Sequence, residues 1–457
     1  MQANEINISN IIEKHRMDAS FFITESSYKG YVSLSKYVSV KGGKRIPKGE
    51  SFSSQRTDYL YLRLSDIDNF EIINFKKFNS ISEDLFNKLH RYQIKENELI
   101  ISIAGTIGKT FIIKNIPIGK KVILTENCAK LIIKDSNVLP EYLRIVLESE
   151  VIQEQISANR IKTTIPKIGL DRIGRLKLPT IPPVDVQRQI VEQYTQAQEA
   201  KLTKDKAAKS LLDSIDIYLL EVLDIEPLRN HTFDKIIIKN ISAIIGNRLD
   251  VSFYKERFEM MSRIYPNKKL SSVVEIDPAI KFSQDPNTEI SFVPMECIDE
   301  KYGEIFDART TVISKAKGYT KFEEGDLLWA KITPCMQNGK SAIVKNLKNG
   351  VGCGSTEYYV MRPKNSDVLI EYVYMILRHK GVLEAAQNSF GGSAGQQRVS
   401  RQYLNSIMIP LPPLEKQQEI VKNINKMKQH AKQLQEEGIK LLEDIKHEIE
   451  QIISGSL

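Results

Sequence analysis

Pro182-Pro183-Val184-Asp185-Val186-Gln187-Arg188-Gln189-Ile190-Val191 and Pro412-Pro413-Leu414-Glu415-Lys416-Gln417-Gln418-Glu419-Ile420-Val421 are two versions of one stretch, aligned without a gap. Working outward, Arg16-Met-Asp-Ala-Ser-Phe-Phe22 recurs as Arg248-Leu-Asp-Val-Ser-Phe-Tyr254, and Tyr61–Ile67 corresponds more loosely to Phe292–Ile298. Glu98–Ile100 matches Asp326–Leu328, Thr125-Glu126 matches Thr356-Glu357, and Pro140–Leu143 matches Ile370–Val373. The offset stays between about 228 and 232 throughout. A single short match is easily accidental. Many matches in one order at one spacing mean that the chain is an internal duplication.

Each copy has two parts. The first mixes Ile/Val/Leu/Tyr-rich runs with Gly and Lys turns, and Glu98–Ala104, Thr110–Ile113, Lys121–Leu124 and Leu131–Lys134 read as strands, with helices near Leu139–Gln155. That mixture predicts a compact α+β domain. The second part is one long helix. A Pro-Pro pair cannot continue a strand, and Asp185 or Glu415 in the first turn suits the positive end of the helix dipole.

Along the last helix, apolar or small residues fall at Ile420, Ile424, Met427, Ala431, Leu434, Gly438, Leu441, Ile445, Ile449 and Ile452. The equivalent positions of the central helix are Ile190, Tyr194, Ala197, Lys201, Lys204, Ala208, Leu211, Ile215, Leu219 and Val222, the same heptad seam weakened by two lysines. Two helices with one apolar stripe each bury those stripes most simply against each other. The expected architecture is two pseudo-symmetric α+β domains, 1–181 and 247–411, separated by two long antiparallel coiled-coil helices, 182–226 and 412–457, with a linker at 227–246. Some 40 helical residues make a rod of about 60 Å. Small residues at Ala208 and Gly438 would let the backbones approach closely; the other reading of Gly438 is a kink or a tolerated defect costing about 1 kcal/mol against alanine.

Composition sets the outer bounds. The chain has 457 residues, 41% of them hydrophobic, and a formal charge of +8, so it can build ordinary cores and wholesale disorder is excluded. No apolar run approaches the roughly 18 residues of a membrane span, and the polar start MQANEINISN lacks the pattern of a secretory signal. Cys128, Cys297, Cys335 and Cys353 are too sparse for a disulfide scaffold and too scattered for a zinc site. A soluble, cytoplasmic protein with reduced thiols is expected.

Catalytic constellations are missing. Gly105-Thr-Ile-Gly108-Lys109-Thr110 has the tail of a phosphate-binding loop, but Ile103 stands where its first glycine belongs. It reads instead as a strand-to-strand turn that presents Lys109 and Thr110 at a surface. The run Gly391–Gly395 misses the dinucleotide spacing, and the six histidines are scattered. There is no Asn-Pro-Pro-aromatic or Asp-Pro-Pro-Tyr segment of the amino-methyltransferase kind. A self-contained nuclease or methyltransferase is not expected.

Positive charge, in contrast, is clustered. Lys36, Lys41, Lys44, Arg45 and Lys48 bracket two glycines and a proline, and Arg160, Lys162, Lys167, Arg172, Arg175 and Lys177 oppose only Asp171. A charge run is usually a solvated face. On a pseudo-two-fold scaffold these runs suit duplex DNA, itself a pseudo-symmetric polyanion whose phosphates attract Lys and Arg and whose base edges accept Arg, Gln and Asn. The candidate contacts are Lys41, Lys44, Arg45, Lys48, Arg63, Lys109, Thr110, Lys162 and Lys167 in the first copy, and Lys331, Gln337, Lys340, Gln396, Gln397 and Arg398 in the second. The competing reading is an assembly scaffold whose rods and lobes bind only protein. It accounts for the heptads but not for basic loops in strand-rich lobes.

The chain resembles the specificity subunit of type I restriction-modification systems over about 16–453. The resemblance is carried by both Arg-x-Asp-x-Ser-Phe-aromatic starts, by Gly43-Lys-Arg-Ile-Pro-Lys-Gly49, by the Gly105–Thr110 turn and by both Pro-Pro…Gln-x-x-Ile-Val helix starts. It implies two target-recognition domains, a bipartite double-stranded DNA site, no catalysis by this chain, and two modification subunits that methylate adenine with S-adenosylmethionine. It also implies that restriction subunits, where present, add ATP- and Mg-dependent translocation and cleavage. Recognition loops vary freely in this family, so no base-contacting residue carries over. A rod of about 60 Å spans about 17 base pairs, an upper limit for the separation of the two lobes' centres. Four to eight residues inserted near Ala208 should change the tolerated gap.

Overall fold

The computed structural model describes residues 30–68, 72–160, 166–226, 258–282, 285–390 and 397–454. Both Arg-x-Asp-x-Ser-Phe-aromatic starts, the 227–246 linker and the Gly391–Gly395 run lie outside the described residues. Residues 1–203 with 437–457 form one compact unit, and 204–436 form the other. The division falls within both long helices rather than at their ends.

In the first unit, one sheet runs in the order Asn79–Ser80, Tyr59–Leu62, Lys121–Leu124, Gln93–Ile94, its central pair parallel and its outer pairs antiparallel. The other runs Val38–Gly42, Cys128–Ile133, Leu99–Ser102, Thr110–Ile112, antiparallel throughout. The second unit repeats this plan. Arg309–Val312, Glu289–Val293, Val351–Gly354 and Thr320–Glu323 form a sheet with one parallel pair, between Glu289–Val293 and Val351–Gly354. Val274–Ile276, Tyr358–Pro363, Leu327–Ala330 and Ser341–Ile343 form an antiparallel sheet. The duplication seen in short sequence matches is therefore present strand for strand.

Strand periodicity explains the layering. Successive side chains of a strand point to opposite faces, and Leu99–Ser102 is buried along its whole length. Leu99 and Ile101 join a core with Tyr142, Leu143 and Val146 of the helix Pro140–Glu148. Ile100 faces the other way, into a core with Leu60, Leu62 and Val122 of the neighbouring sheet. In the second unit Leu327 and Trp329 pack with Tyr372 and Val373, while Leu328 packs with Val293 and Phe322. The sequence Pro140–Gln155 forms two helices, Pro140–Glu148 and Glu150–Asn159. They break at Ser149, whose amide and hydroxyl both donate to the Val146 carbonyl.

The long helices are Val184–Val222 and Leu414–Ser454. In the first unit Ile190 and Tyr194 share a core with Leu442, Ile445 and Ile449. In the second, Leu219 and Leu223 share one with Ile420 and Ile424, and Asn423 donates to the Tyr218 hydroxyl at 2.9 Å. The start of the central helix thus packs with the end of the last, and its end with the start of the last, an antiparallel pairing. Two expected seam positions are corrected: Leu441 and Ile452 are exposed, and the packed stripe runs through Leu442 and Ile453. A period of 3.6 drifts away from a strict heptad within a few turns, and here the stripe follows the helix rather than the heptad.

Each long helix is tied to its unit by a buried glutamine at the same repeat position. Gln187 accepts from the Leu139 amide at 2.9 Å and donates to the Asn137 and Pro182 carbonyls at 2.7 and 2.8 Å. Gln417 accepts from the Leu369 amide at 2.9 Å and donates to the Asp367 and Pro412 carbonyls at 2.8 and 2.9 Å. Both side chains are fully buried. Among the described residues no helix is long and apolar enough to cross a membrane, and no group of three or more His, Cys, Asp or Glu could hold a metal.

Candidate functional site

In the first unit the predicted cations gather around the turn that joins Lys121–Leu124 to Cys128–Ile133. Gly43 donates to the Cys128 carbonyl and Lys44 to the Leu124 carbonyl, both at 2.9 Å, so the basic loop is laced to that turn through its backbone. Ile103 donates to the Asn127 carbonyl at 2.8 Å, and a bridge between Ala104 and Lys167 brings in the segment at 166–168. Lys41, Lys44, Arg45, Lys48, Lys109 and Lys167 are exposed.

Glu126 sits in the middle of this turn and receives Arg45 Nε at 2.6 Å and the Thr125 hydroxyl at 3.1 Å. Burial works against its charge, but the Arg45 hydrogen bond, its own backbone amide, Thr125 and the Arg45 charge together hold its carboxyl below the usual range. The Tyr61 hydroxyl donates to the Lys44 carbonyl at 2.8 Å, and burial beside Glu126 pushes its pKa up to about 12. Arg63 is held by Asp66 through Nε at 3.2 Å and Nη2 at 2.8 Å. Asp66 is 2% exposed and also accepts from the Arg63 amide at 3.0 Å. Arg45, Phe52, Tyr61, Arg63, Glu126 and Asn127 line a cleft of about 560 Å³.

The second unit builds the same anchor with a different arginine. Glu357, the repeat equivalent of Glu126, receives Arg398 Nε at 2.8 Å and Nη2 at 2.7 Å. The Arg398 hydrogen bond lowers the Glu357 pKa despite partial burial. Lys331 donates its amide to the Glu357 carbonyl at 2.9 Å and sets its ammonium over the Tyr359 ring, 5.2 Å from the centroid. Thr333 donates to the Gln397 carbonyl at 2.9 Å, which joins the 331–340 turn to the strand bridge of Ile332 with Arg398. Gln337 is exposed, and Lys331 and Gln397 are half-buried.

Two expected surface positions are corrected. Thr110 is fully buried, because the ladder between Leu99–Ser102 and Thr110–Ile112 begins with it. Its hydroxyl donates to Glu148 at 2.7 Å, so only Lys109 of the pair is presented outward. The Lys340 side chain is 14% exposed and is turned inward to the Met295 carbonyl at 3.2 Å and to Glu300 at 3.7 Å. Lys162 and Gln396 lie outside the described residues.

Sequence reasoning missed the carboxylates. Asp66, Glu126 and Glu357 orient arginines, and Phe52, Tyr61 and Asn127 complete the cleft. A usable signal was present in the repeat itself: Thr125-Glu126 and Thr356-Glu357 keep an acid at one position among otherwise basic loops.

Gly43 is the backbone hinge of this arrangement. A Cβ there would collide with the carbonyl oxygens of Leu124 and Thr125. Gly43→Ala is expected to cost about 1–2 kcal/mol and to lift the Lys44-Arg45 loop off the turn. Chemical denaturation, together with the loss of amide-exchange protection at Lys44, checks it.

Comparison with known proteins agrees with the duplicated plan. The EcoEI type I restriction enzyme specificity subunit of Escherichia coli is 36% identical over 186 residues, 40% of this chain and 31% of that protein. The EcoAI specificity subunit of the same organism is 36% identical over 190 residues, 41% of this chain and 32% of that protein. The chain thus matches about a third of the length of these curated relatives. A chain from a solved structure of a type I R-M system, concerned with complex assembly and conformational transition, superposes with a TM-score of 0.52 over 93% of this chain and 95% of that one, at 16% identity. That likeness concerns the fold. Residues 31–209 and 265–450, one stretch from each copy and together most of the chain, match the type I restriction modification DNA specificity domain, and the protein belongs to that family.

Proposed function

We propose that the chain is the DNA-reading subunit of a type I restriction-modification complex, in which each unit contacts one half of a bipartite duplex site. The observation that carries the reading is the repeated gathering of cations around the Glu126 and Glu357 turns. Phosphates are neutralised by exposed Lys44, Arg45, Lys109 and Lys167 in one unit, and Lys331 and Arg398 serve the other. The anchoring arginines differ in origin, so the two half-sites differ in sequence.

The chain itself catalyses nothing in this reading. Two modification subunits supply adenine methylation with S-adenosylmethionine, and restriction subunits supply ATP- and Mg-dependent cleavage. The compartment is the cytoplasm, where the DNA and these partners are.

Binding of the full chain to duplexes should weaken steeply as salt rises. Replacing Lys44 and Arg45 together by alanine is expected to reduce the slope of log affinity against log salt by about one to two. Filter binding from low to physiological salt checks it. An unchanged slope removes those two residues from the phosphate track, and no binding at low salt removes the reading as a whole.

A further inference from the structure

Arg63 differs from the other cations of the cleft. Asp66 grips one edge of its guanidinium through Nε and Nη2, and the carboxylate is itself buried and held by the Arg63 amide. The ring of Phe52 lies 5.8 Å from the Arg63 guanidinium carbon and 5.7 Å from the Tyr61 ring, and Phe52 is 41% exposed. A guanidinium fixed along one edge keeps its Nη1–Nη2 end aimed in one direction. That end matches the O6 and N7 acceptors of guanine in the major groove. Fixing the side chain beforehand also removes most of the rotamer entropy that a free arginine loses on binding. An exposed aromatic beside it offers apolar contact to a thymine methyl group.

The repeat supplies a contrast. The equivalents of Arg63 and Asp66 in the second copy are Pro294 and Cys297, which can form no such pair. That unit also carries an aromatic nearby in sequence, Phe282, but Lys321 lies 4.8 Å above its ring. The clamped arginine therefore belongs to the first unit.

We propose that Arg63, presented by the buried Asp66 beside the Phe52 ring, reads a guanine in the half-site contacted by the first unit. This rests on the reading of the chain as a DNA-recognition subunit.

The test is selection of duplexes from a randomised pool by the full chain, for the parent, Arg63→Ala and Asp66→Asn, with circular dichroism to show that each variant is folded. The parent is expected to select two separated half-sites. Arg63→Ala should lose about 10- to 100-fold of its discrimination at one guanine of one half-site and keep the other half-site intact. Asp66→Asn, which loosens the grip without removing the arginine, should lose less at that same position. A variant Arg63→Ala that keeps every base preference of the parent, or weakens all sequences evenly as loss of a phosphate contact would, overturns the proposal while leaving the recognition reading in place. A parent that selects no half-sites overturns the recognition reading, and the assignment of Arg63 with it.

Discussion

Replacing Gln417 by alanine is expected to destabilise the second unit by about 3 kcal/mol. The substitution leaves the Leu369 amide without its acceptor and the Asp367 and Pro412 carbonyls without their donor. Pro412 is buried and Leu369 half-buried, so these two groups lose a partner that water replaces only incompletely, and a buried group left so costs about 1–3 kcal/mol before relaxation. Leu369 precedes the first turn of the helix Ile370–Arg378, so the loss also frays a helix that supplies much of the unit's core. Trp329 is the sole tryptophan of the chain and is buried in that core, which makes its fluorescence a private reporter of the second unit. Urea titration followed at Trp329 should show a lower midpoint for Gln417→Ala. Gln187→Ala, which makes the equivalent change in the first unit, should leave the Trp329 midpoint much closer to that of the parent.

The second large effect concerns Lys428, whose replacement by methionine is expected to stabilise the second unit by about 2 kcal/mol at pH 7. The ammonium is half-buried between the last helix and the domain. Its neighbours are the Tyr302 carbonyl at 3.2 Å, the Tyr374 hydroxyl at 3.3 Å and the Tyr374 ring. Burial and the Arg378 charge lower its pKa to about 7, against the opposing pull of Glu304 and Asp299. An amine whose folded pKa lies below its unfolded value of 10.5 is more protonated when unfolded between those limits. Stability therefore rises with pH through that window, and the penalty is largest below about pH 7. Methionine keeps a flexible stem and removes the charge. The gain from Lys428→Met should be greatest at pH 6–7 and fade toward pH 10, as read by Trp329 titrations across that range. A gain that does not change with pH would assign the effect to packing instead of charge.

The sequence made the duplication, the strands and the start of each long helix legible, because these are local patterns: a short apolar run such as Leu99–Ser102, a Pro-Pro stop, an apolar stripe. Boundaries were harder. Thr110 reads as the tip of a turn from its place after Gly108-Lys109, yet pairing with Ile101 draws it into the ladder. Lys340 reads as a free cation, yet its folded partner Glu300 lies 40 positions away in the chain. The same limit hid the site itself. Arg45 and Glu126 are 81 residues apart and Arg398 and Glu357 are 41 apart. Only the fold brings charges separated in this way to one turn. Arg63 and Asp66, three residues apart, were readable in principle, but without knowing that Asp66 is buried nothing distinguishes them from any surface pair.

Glu126 and Glu357 occupy one position in the duplicated plan, while the guanidinium each one holds arrives from a different part of the chain. An inherited socket with an exchangeable plug separates two tasks that most proteins must solve together. The same half-buried carboxylate is thus satisfied by either guanidinium, Arg45 in one unit and Arg398 in the other. On the proposed reading role, new preferences would then arise by a few exposed replacements in one copy while its sibling continues unaltered, so that diversification proceeds one half at a time.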